Sequence, residues 1–207
     1  MFNNIQMVVF DLFGTLIRFG DSHHPFLEVH RWTKEHGQNT EKYNSRSLLT
    51  INGDLETLMG KIGVRLPPNV LIQCQENIQK DLDGLTLFDD VLPTLFALKA
   101  AGIRLALCSN LAQPYAVVID RFLHQFDMLK CLSFEVGAVK PEIEIYEWLT
   151  LKSGLKPQNT LFVGDTKLAD YEGPRTYGFH ALHLARDITS TGQTINSLND
   201  VLKAIKV

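Results

Sequence analysis

The sequence has few cysteines and no long apolar run. It holds three cysteines, Cys74, Cys108 and Cys131, and no CxxC pair. This spacing favours reduced thiols over a disulfide framework or a cysteine-rich zinc site. No apolar run approaches the roughly 18 residues that a membrane-spanning helix needs. The first ten residues also lack the charged segment and long apolar stretch of a signal peptide, so we expect a cytoplasmic protein with no membrane partner.

An excess of charge of either sign is also missing. The chain carries 20 Lys and Arg residues against 23 Asp and Glu residues, a net charge of −3. Nucleic acids and anionic membranes attract proteins through clustered positive charge, so the composition predicts neither partner. A small, soluble molecule is the expected ligand. With 207 residues, 45% of them apolar, the chain is long enough for one core and a small insertion.

Short apolar segments of strand type alternate with segments of helical period. The predicted strands cover 6–11, 103–110, 131–137, 160–165 and 179–184. Apolar residues recur with helical spacing in the segments between the later strands, which are 89–102, 114–126 and 142–154. This alternation is typical of an α/β protein with a doubly wound parallel sheet.

Residues 20–84 have a different character. They consist of helical segments separated by Gly, Pro and Asn, without a strand pattern; the segments are 24–37, 47–63 and 67–82. We therefore predict an α-helical cap domain at 20–84, inserted into a core domain made of 1–19 and 85–207. Near the end, the polar segment 185–200 predicts a surface loop before a last short helix.

Polar residues lie where the predicted strands end or shortly afterwards. They are Asp11, Ser109, Asn110, Lys140, Asp165 and Asp170. In open α/β sheets, ligands bind at the carboxyl ends of the strands. A helical cap inserted directly after the first strand would cover that same edge, so we expect the functional site there.

This set of residues resembles the motifs of the haloacid dehalogenase (HAD) superfamily, in the same order along nearly the whole chain. The first motif, D-x-[DYFAT]-G-T, is matched by residues 11–15, and the Ser or Thr of the second by Ser109. Lys140-Pro141 resembles the third motif, and residues 164–170 resemble the fourth, GDxxxxD. The insertion is similar to the type 1 helical cap of that superfamily.

The resemblance implies a hydrolase in which Asp11 is the nucleophile. A carboxylate at a strand end can form an acyl intermediate, which divides a difficult substitution into two easier steps. Thr15, Ser109, Asn110 and the backbone N–H groups of residues 13–15 are candidate hydrogen-bond donors to a phosphoryl group or leaving atom. Lys140 would neutralise the charge of nucleophile and substrate.

The charges also predict a metal ion. If Asp11, Asp165 and Asp170 converge, as the resemblance implies, two carboxylates about 4 Å apart repel by roughly 4 kcal/mol at an effective dielectric constant near 20. Lys140 offsets only one of these three charges. Mg²⁺ prefers oxygen ligands and suits such a set. By resemblance, its protein ligands would be Asp11, the carbonyl oxygen of Phe13, and Asp165 or Asp170.

Phe13 departs from the phosphatase pattern. Most HAD phosphatases have an Asp at this position, which protonates the leaving oxygen and then activates water, a role worth about 100- to 10,000-fold in rate. An aromatic residue here is typical of the 2-haloacid dehalogenases, whose halide leaves without a proton. Those metal-independent enzymes, however, replace the first Asp of the fourth motif, which is Asp165 here. Tyr146 falls where both groups carry a tyrosine.

We therefore predict a Mg²⁺-dependent phosphatase that acts on a small phosphorylated metabolite through an aspartyl-phosphate. The alternatives are a metal-independent 2-haloacid dehalogenase, an enzyme that cleaves a carbon–phosphorus bond, and a weakly active protein that binds phosphate or a partner. The dehalogenases have a cap arginine that binds the substrate carboxylate. The candidates for this role in the present sequence are Arg18, Arg31 and Arg46. The sequence leaves open the natural substrate and whether the protein is a monomer or a homodimer.

Overall fold

A parallel sheet lies at the centre of the computed structural model, which describes residues 1–37, 43–187 and 193–206. The strands in these residues are β1 (Met7–Phe10), β2 (Ile17–Arg18), β3 (Thr86–Leu87), β4 (Arg104–Ser109), β5 (Met128–Leu132), β6 (Thr160–Gly164), β7 (His180–Leu184) and β8 (Thr194–Ile195). Six of them form one sheet in the order β5-β4-β1-β6-β7-β8. All of its neighbouring strands are parallel.

The helices precede, join and follow these strands. They are α1 (Pro25–Glu35), α2 (Ser45–Thr50), α3 (Leu55–Lys61), α4 (Pro68–Asp83), α5 (Val91–Ala100), α6 (Val117–Leu123), α7 (Ser133–Val136), α8 (Ile143–Ser153), α9 (Gly173–Tyr177) and α10 (Asn199–Ile205). A π-helical segment, Lys167–Glu172, precedes α9. Within the described ranges, no helix has both the length and the apolar character needed to cross a bilayer.

The central strand β1 is buried on both faces. Met7 and Val9 pack into the apolar cluster on one side of the sheet, and Val8 and Phe10 pack into the cluster on the other side. A strand covered on both faces has a continuous apolar run instead of an alternating one. The predicted doubly wound parallel sheet is therefore confirmed.

One predicted strand has the wrong bounds. The sequence predicts a strand over 131–137, but β5 covers Met128–Leu132 and is followed at once by α7. Ser133 begins this helix, and its hydroxyl accepts a hydrogen bond from the Leu111 N–H and donates one to the Leu49 carbonyl. The apolar residues of 133–136 therefore reach the core from a helical turn, which their spacing did not distinguish from the end of a strand.

The inserted segment is helical, with one break that was not predicted. The predicted helical segment 47–63 contains parts of two helices, most of α2 and all of α3. Residues 51–54 separate these helices. The side chain of Asp54 accepts a hydrogen bond of 2.9 Å from the Thr57 N–H and caps α3. Asn-Gly-Asp is a turn-forming sequence that favours such a restart.

Both connections of the insertion leave the core at one place. β2 and β3 pair antiparallel, with Ile17 opposite Leu87. Just beyond them, a Cβ atom added to Gly20 would lie 3.0 Å from the carbonyl oxygen of Gly84. The two connections therefore approach each other closely at Gly20 and Gly84, next to the predicted domain boundaries. We propose 20–84 as the cap domain and 1–19 with 85–207 as the core domain.

The predicted surface loop 185–200 is only partly described. Residues 188–192 lie outside the described residues, but Thr194–Ile195 pairs with β7 as the edge strand β8. A strand of two residues is too short to show a period of two in the sequence. α10 follows, as the predicted last short helix.

Candidate active site

The carboxyl ends of two neighbouring strands bring acidic residues together. Asp11 directly follows β1, and Asp165 directly follows β6, which pairs with β1. Asp170 lies in the π-helical segment after β6. Carboxylate oxygens of Asp11, Asp165 and Asp170 lie within 4.8 Å of one another. The structure thus places these residues together, as expected from the topology of a parallel sheet.

Lys140 lies buried between two of these carboxylates. Its Nζ donates hydrogen bonds of 2.7 Å to Asp11 Oδ1 and 2.5 Å to Asp170 Oδ1. Burial alone would lower the pKa of Lys140, but the charges of Asp11 and Asp170 raise this pKa well above its usual value. The side chain is therefore a fixed positive charge inside the acidic cluster.

Ser109 contacts the same oxygen of Asp11. Its hydroxyl donates a hydrogen bond of 3.3 Å to Asp11 Oδ1, the atom that also accepts from Lys140. Neither of these two contacts uses the other carboxylate oxygen, Oδ2. The arrangement orients the Asp11 carboxylate while leaving Oδ2 outside these hydrogen bonds.

Asn110 acts on the backbone of Lys140. The Lys140 N–H donates to Asn110 Oδ1 at 2.7 Å, and Asn110 Nδ2 donates to the Lys140 carbonyl at 3.0 Å. This reciprocal pair joins the end of β4 to the loop that bears Lys140, whose peptide bond to Pro141 is cis. Asn110 therefore holds Lys140 in place beside Asp11.

Two glycines make room for the acidic side chains. Gly14 has a φ of +80°, and a Cβ atom added there would overlap the carboxyl group of Asp165. A Cβ atom added to Gly164 would overlap the carboxyl group of Asp170. Asp170 is held further by the Thr166 N–H, which donates to its Oδ2 at 3.0 Å. Glycine at both positions is thus required by the close approach of these carboxylates.

The environment of the cluster disfavours its negative charge. Burial raises the pKa of Asp11 to about 6; the charge of Lys140 opposes this, and the charges of Asp170 and Asp165 add to it. Partial loss of hydration and the charge of Asp170 also raise the pKa of Asp165. A positive ion close to these oxygens would favour the ionised forms.

Other predicted groups have different surroundings. Thr15 is buried, and among the described residues its hydroxyl has no hydrogen-bond partner. The Gly14 N–H already donates to the Ile17 carbonyl at 2.8 Å, so it is used within the turn. The Phe13 ring lies 4.6 Å from the Phe19 ring and 6.1 Å from the Tyr115 ring, measured between centroids. The catalytic role of Thr15 and the binding of a metal ion by the Phe13 carbonyl stay predictions.

Arg46, one candidate for a substrate carboxylate, already has a carboxylate partner. Its Nε and one terminal nitrogen donate to the two oxygens of Glu142, at 2.6 and 2.9 Å. Glu142 also accepts a hydrogen bond of 3.1 Å from the Val139 N–H, next to Lys140. In this structure, Arg46 therefore links α2 to the loop of Lys140.

Two residues that contact this region are not among the predicted site residues. His183 Nε2 lies 3.0 Å from the Asp165 carbonyl oxygen, and Arg186 donates a hydrogen bond of 2.7 Å to the Thr15 carbonyl. His183 is a polar residue near the end of a predicted strand, so the criterion that selected Asp11 and Ser109 would also have selected it. Arg186 follows that strand by two residues and carries no motif.

A comparison with protein families agrees with this geometry. Residues 5–178 match the family model of the haloacid dehalogenase-like hydrolases. The chain belongs to this family. The match begins before β1 and ends after α9, so it contains every strand end and motif of the candidate site.

A curated relative of this HAD-like hydrolase is glyceraldehyde 3-phosphate phosphatase of Methanopyrus kandleri. The two are 26% identical over 163 residues, which cover 78% of this chain and 66% of the relative. The match thus spans just under two thirds of the relative's own length.

Solved structures share the fold with this HAD-like hydrolase. A HAD phosphatase from Thermococcus onnurineus superposes with a TM-score of 0.65 at 20% identity, covering 97% of both chains. A 2-haloacid dehalogenase from Pseudomonas syringae superposes with a TM-score of 0.62 at 17% identity, covering 96% of this chain and 97% of the other. Because phosphatase and dehalogenase structures match about equally well, the fold does not choose between these activities.

The acidic cluster of this HAD-like hydrolase fits a hard divalent cation. All three side chains offer oxygen ligands, and Asp11 and Asp170 are buried while Asp165 is exposed. Their three negative charges face the single charge of Lys140 within this cluster. A small ion that takes carboxylate oxygens and keeps several waters matches this donor set.

Proposed function

We propose that this HAD-like hydrolase is a Mg²⁺-dependent phosphatase that acts on a small phosphorylated metabolite. The observation that carries the proposal is the convergence of Asp11, Asp165 and Asp170 around Lys140. Three carboxylates this close together are costly without a cation. The curated relative named as a phosphatase supports the same conclusion.

Asp11 is the proposed nucleophile. One of its carboxylate oxygens attacks phosphorus, the bond between phosphorus and the leaving oxygen breaks, and the leaving oxygen takes the electron pair and a proton from solvent. Water then attacks phosphorus, the bond to Asp11 breaks, and inorganic phosphate leaves while the water gives up a proton. Two steps of this kind replace one difficult displacement.

The neighbouring residues stabilise charge during both steps. Lys140 and Ser109 hold Asp11 through its Oδ1, Asn110 holds Lys140, and the buried Thr15 is a further candidate donor. Asp11, the Phe13 carbonyl, and Asp165 or Asp170 are the proposed ligands of Mg²⁺. When bound, the ion would neutralise phosphoryl oxygens and polarise phosphorus towards attack.

The first prediction concerns the metal and the nucleophile together. We expect the protein to release phosphate from p-nitrophenyl phosphate in Mg²⁺, and to lose this activity in EDTA because the carboxylates then repel the substrate. Asp11→Asn should be inactive in both conditions, since a neutral amide is a poor nucleophile. Phosphate release that persists in EDTA, or in a folded Asp11→Asn variant, would contradict the proposal.

A specific observation favours the second candidate, a 2-haloacid dehalogenase. Phe13 puts an aromatic ring where a phosphatase needs an acid, and this ring packs against Phe19 and Tyr115. Halide release from a 2-chloro acid should therefore be measured beside phosphate release. Halide release that is unaffected by EDTA but requires Asp11 would favour the dehalogenase over the phosphatase. No activity in either assay would favour a binding protein.

The second prediction concerns the leaving group. Because Phe13 cannot protonate the leaving oxygen, we expect rates to fall steeply as the pKa of the leaving alcohol rises. Aryl and acyl phosphates should react much faster than alkyl phosphates when formation of the phosphoenzyme limits the rate. Single-turnover rates for a series of aryl and alkyl phosphates measure this slope. A flat slope under those conditions would show that another group supplies the proton.

A further inference from the structure

A pair of residues outside the motifs contacts the end of the nucleophile turn, residues 11–17. Arg186 donates a hydrogen bond of 2.7 Å to the carbonyl of Thr15, and the Phe88 N–H donates one of 3.2 Å to the next carbonyl, that of Leu16. We propose that Arg186, fixed by Asp90, is a positioning residue that sets the geometry of this turn. The kinetic consequence of this role rests on the proposed function, whereas its structural consequence does not.

Arg186 is held in one orientation by Asp90 and Phe88. Its two terminal nitrogens donate to the two carboxylate oxygens of Asp90, at 3.0 and 3.2 Å. The guanidinium carbon lies 3.7 Å from the centre of the Phe88 ring. A planar fork stacked on a ring and bound to both oxygens of a carboxylate has little freedom to rotate. The hydrogen bond from Arg186 to the Thr15 carbonyl therefore has a fixed direction.

Asp90 is anchored in turn by the start of the last helix. Its Oδ2 accepts hydrogen bonds of 2.9 Å from both the Ser197 hydroxyl and the Leu198 N–H. Partial burial alone would raise the pKa of Asp90, but the hydrogen bonds from Arg186, Leu198 and Ser197 lower it. The carboxylate is thus ionised and fixed, and it joins Arg186 to the start of the last helix.

The turn needs such a support because the candidate site tolerates little displacement. Gly14 lies against the carboxyl group of Asp165, in space that even one Cβ atom would fill. Inside the turn, the N–H groups of Leu16 and Ile17 both donate to the Leu12 carbonyl at 2.8 Å. Because the turn closes on itself, a shift of Thr15 is transmitted towards Gly14 and Asp11. Displacements of about 1 Å near reacting atoms can lower a rate about 100-fold.

The experiment compares Arg186→Ala with Arg104→Ala. Arg104 also donates to a backbone carbonyl, that of Ser153 at 2.9 Å, but it begins β4 and so lies at the opposite edge of the sheet. In the full chain, we expect Arg186→Ala to speed amide hydrogen exchange in residues 12–17, measured by mass spectrometry, while Arg104→Ala leaves these residues unchanged. Arg186→Lys, which keeps the charge but not the fork, should have an intermediate effect.

Kinetics with p-nitrophenyl phosphate separate positioning from general destabilisation. We expect kcat to fall about 100-fold in Arg186→Ala with little change in KM. Added guanidinium ion, at millimolar concentrations that do not unfold proteins, should restore part of kcat in Arg186→Ala and none in Asp11→Asn. Lost stability alone would not produce such a rescue.

The outcomes distinguish this proposal from the proposed function. Unchanged exchange in residues 12–17 of a folded Arg186→Ala variant, or faster exchange spread evenly over the chain, would overturn the positioning role. If the wild type hydrolyses no phosphate ester, the phosphatase proposal fails, and the exchange measurement still decides the role of Arg186. If exchange quickens locally while kcat is unchanged in an active enzyme, Arg186 does not position the nucleophile.

Discussion

Replacing Lys140 with methionine is expected to lower the free energy of unfolding by about 3 kcal/mol and to abolish phosphate release. The Lys140 ammonium group is buried and contacts Asp11 and Asp170. Removing one partner of a buried ion pair leaves the other charges uncompensated, which costs about 3–5 kcal/mol. Methionine has a similar volume, so the loss reports on charge more than on packing. Urea unfolding of both proteins in metal-free buffer at pH 8 measures this loss in the free energy of unfolding.

Lys203→Met is a matched control for this experiment. Lys203 pairs with Asp200 at 2.7 Å, the same distance as Lys140 to Asp11, but its side chain is 78% exposed against 2% for Lys140. A surface substitution of this kind usually changes stability by about 0.5 kcal/mol or less. Equal losses in the two variants would contradict the view that Lys140 compensates a buried acidic cluster.

Mg²⁺ should stabilise the Lys140→Met variant more than the wild type. Without the lysine, the cluster of Asp11, Asp165 and Asp170 carries a larger negative charge, so a divalent cation binds it more tightly. A ligand that binds only the folded state raises the free energy of unfolding by an amount that grows with its affinity. The same unfolding curves in Mg²⁺ therefore test metal binding without any need for catalysis.

The sheet was predictable because its central strands, such as β1 and β6, are buried on both faces. Residues 7–10 and 161–163 are apolar throughout and are followed by a polar residue or glycine, which fixes the type of these strands and nearly their bounds. β2, β3 and β8 have two residues each and leave no periodic pattern. The misplaced start of β5 has a related cause, since its first residues, Met128 and Leu129, favour strands no more than helices.

The candidate site was predictable where it depends on strand order. Asp11, Ser109 and Asp165 meet because β4 and β6 flank β1, and this follows from the topology alone. Contacts that depend on side-chain direction were not predictable. Arg186 and Thr15 are 171 positions apart, and no local pattern relates them. The break between α2 and α3 was visible in the sequence as Asn-Gly-Asp, but the helical period on either side outweighed it.

Phe13→Asp is expected to raise the rate of alkyl phosphate hydrolysis by about 100-fold, since it restores a group that protonates the leaving oxygen. The gain should be largest for alcohols of high pKa and small for p-nitrophenol, which leaves readily without a proton. Some stability should be lost, because the Phe13 ring packs against Phe19 and Tyr115. The measurement is kcat/KM for an alkyl and an aryl phosphate in Mg²⁺.

Phe13→Asn is the control that separates proton transfer from packing. Asparagine has the size of aspartate and removes the same ring, but it cannot act as a general acid or base in this reaction. We therefore expect Phe13→Asn to lose stability as Phe13→Asp does, and to gain no rate with the alkyl phosphate. Equal gains in both variants would mean that the ring obstructs the substrate. No gain in a folded Phe13→Asp variant would mean that residue 13 does not face the leaving group, and the structural basis of the steep leaving-group dependence would then lie elsewhere in the site.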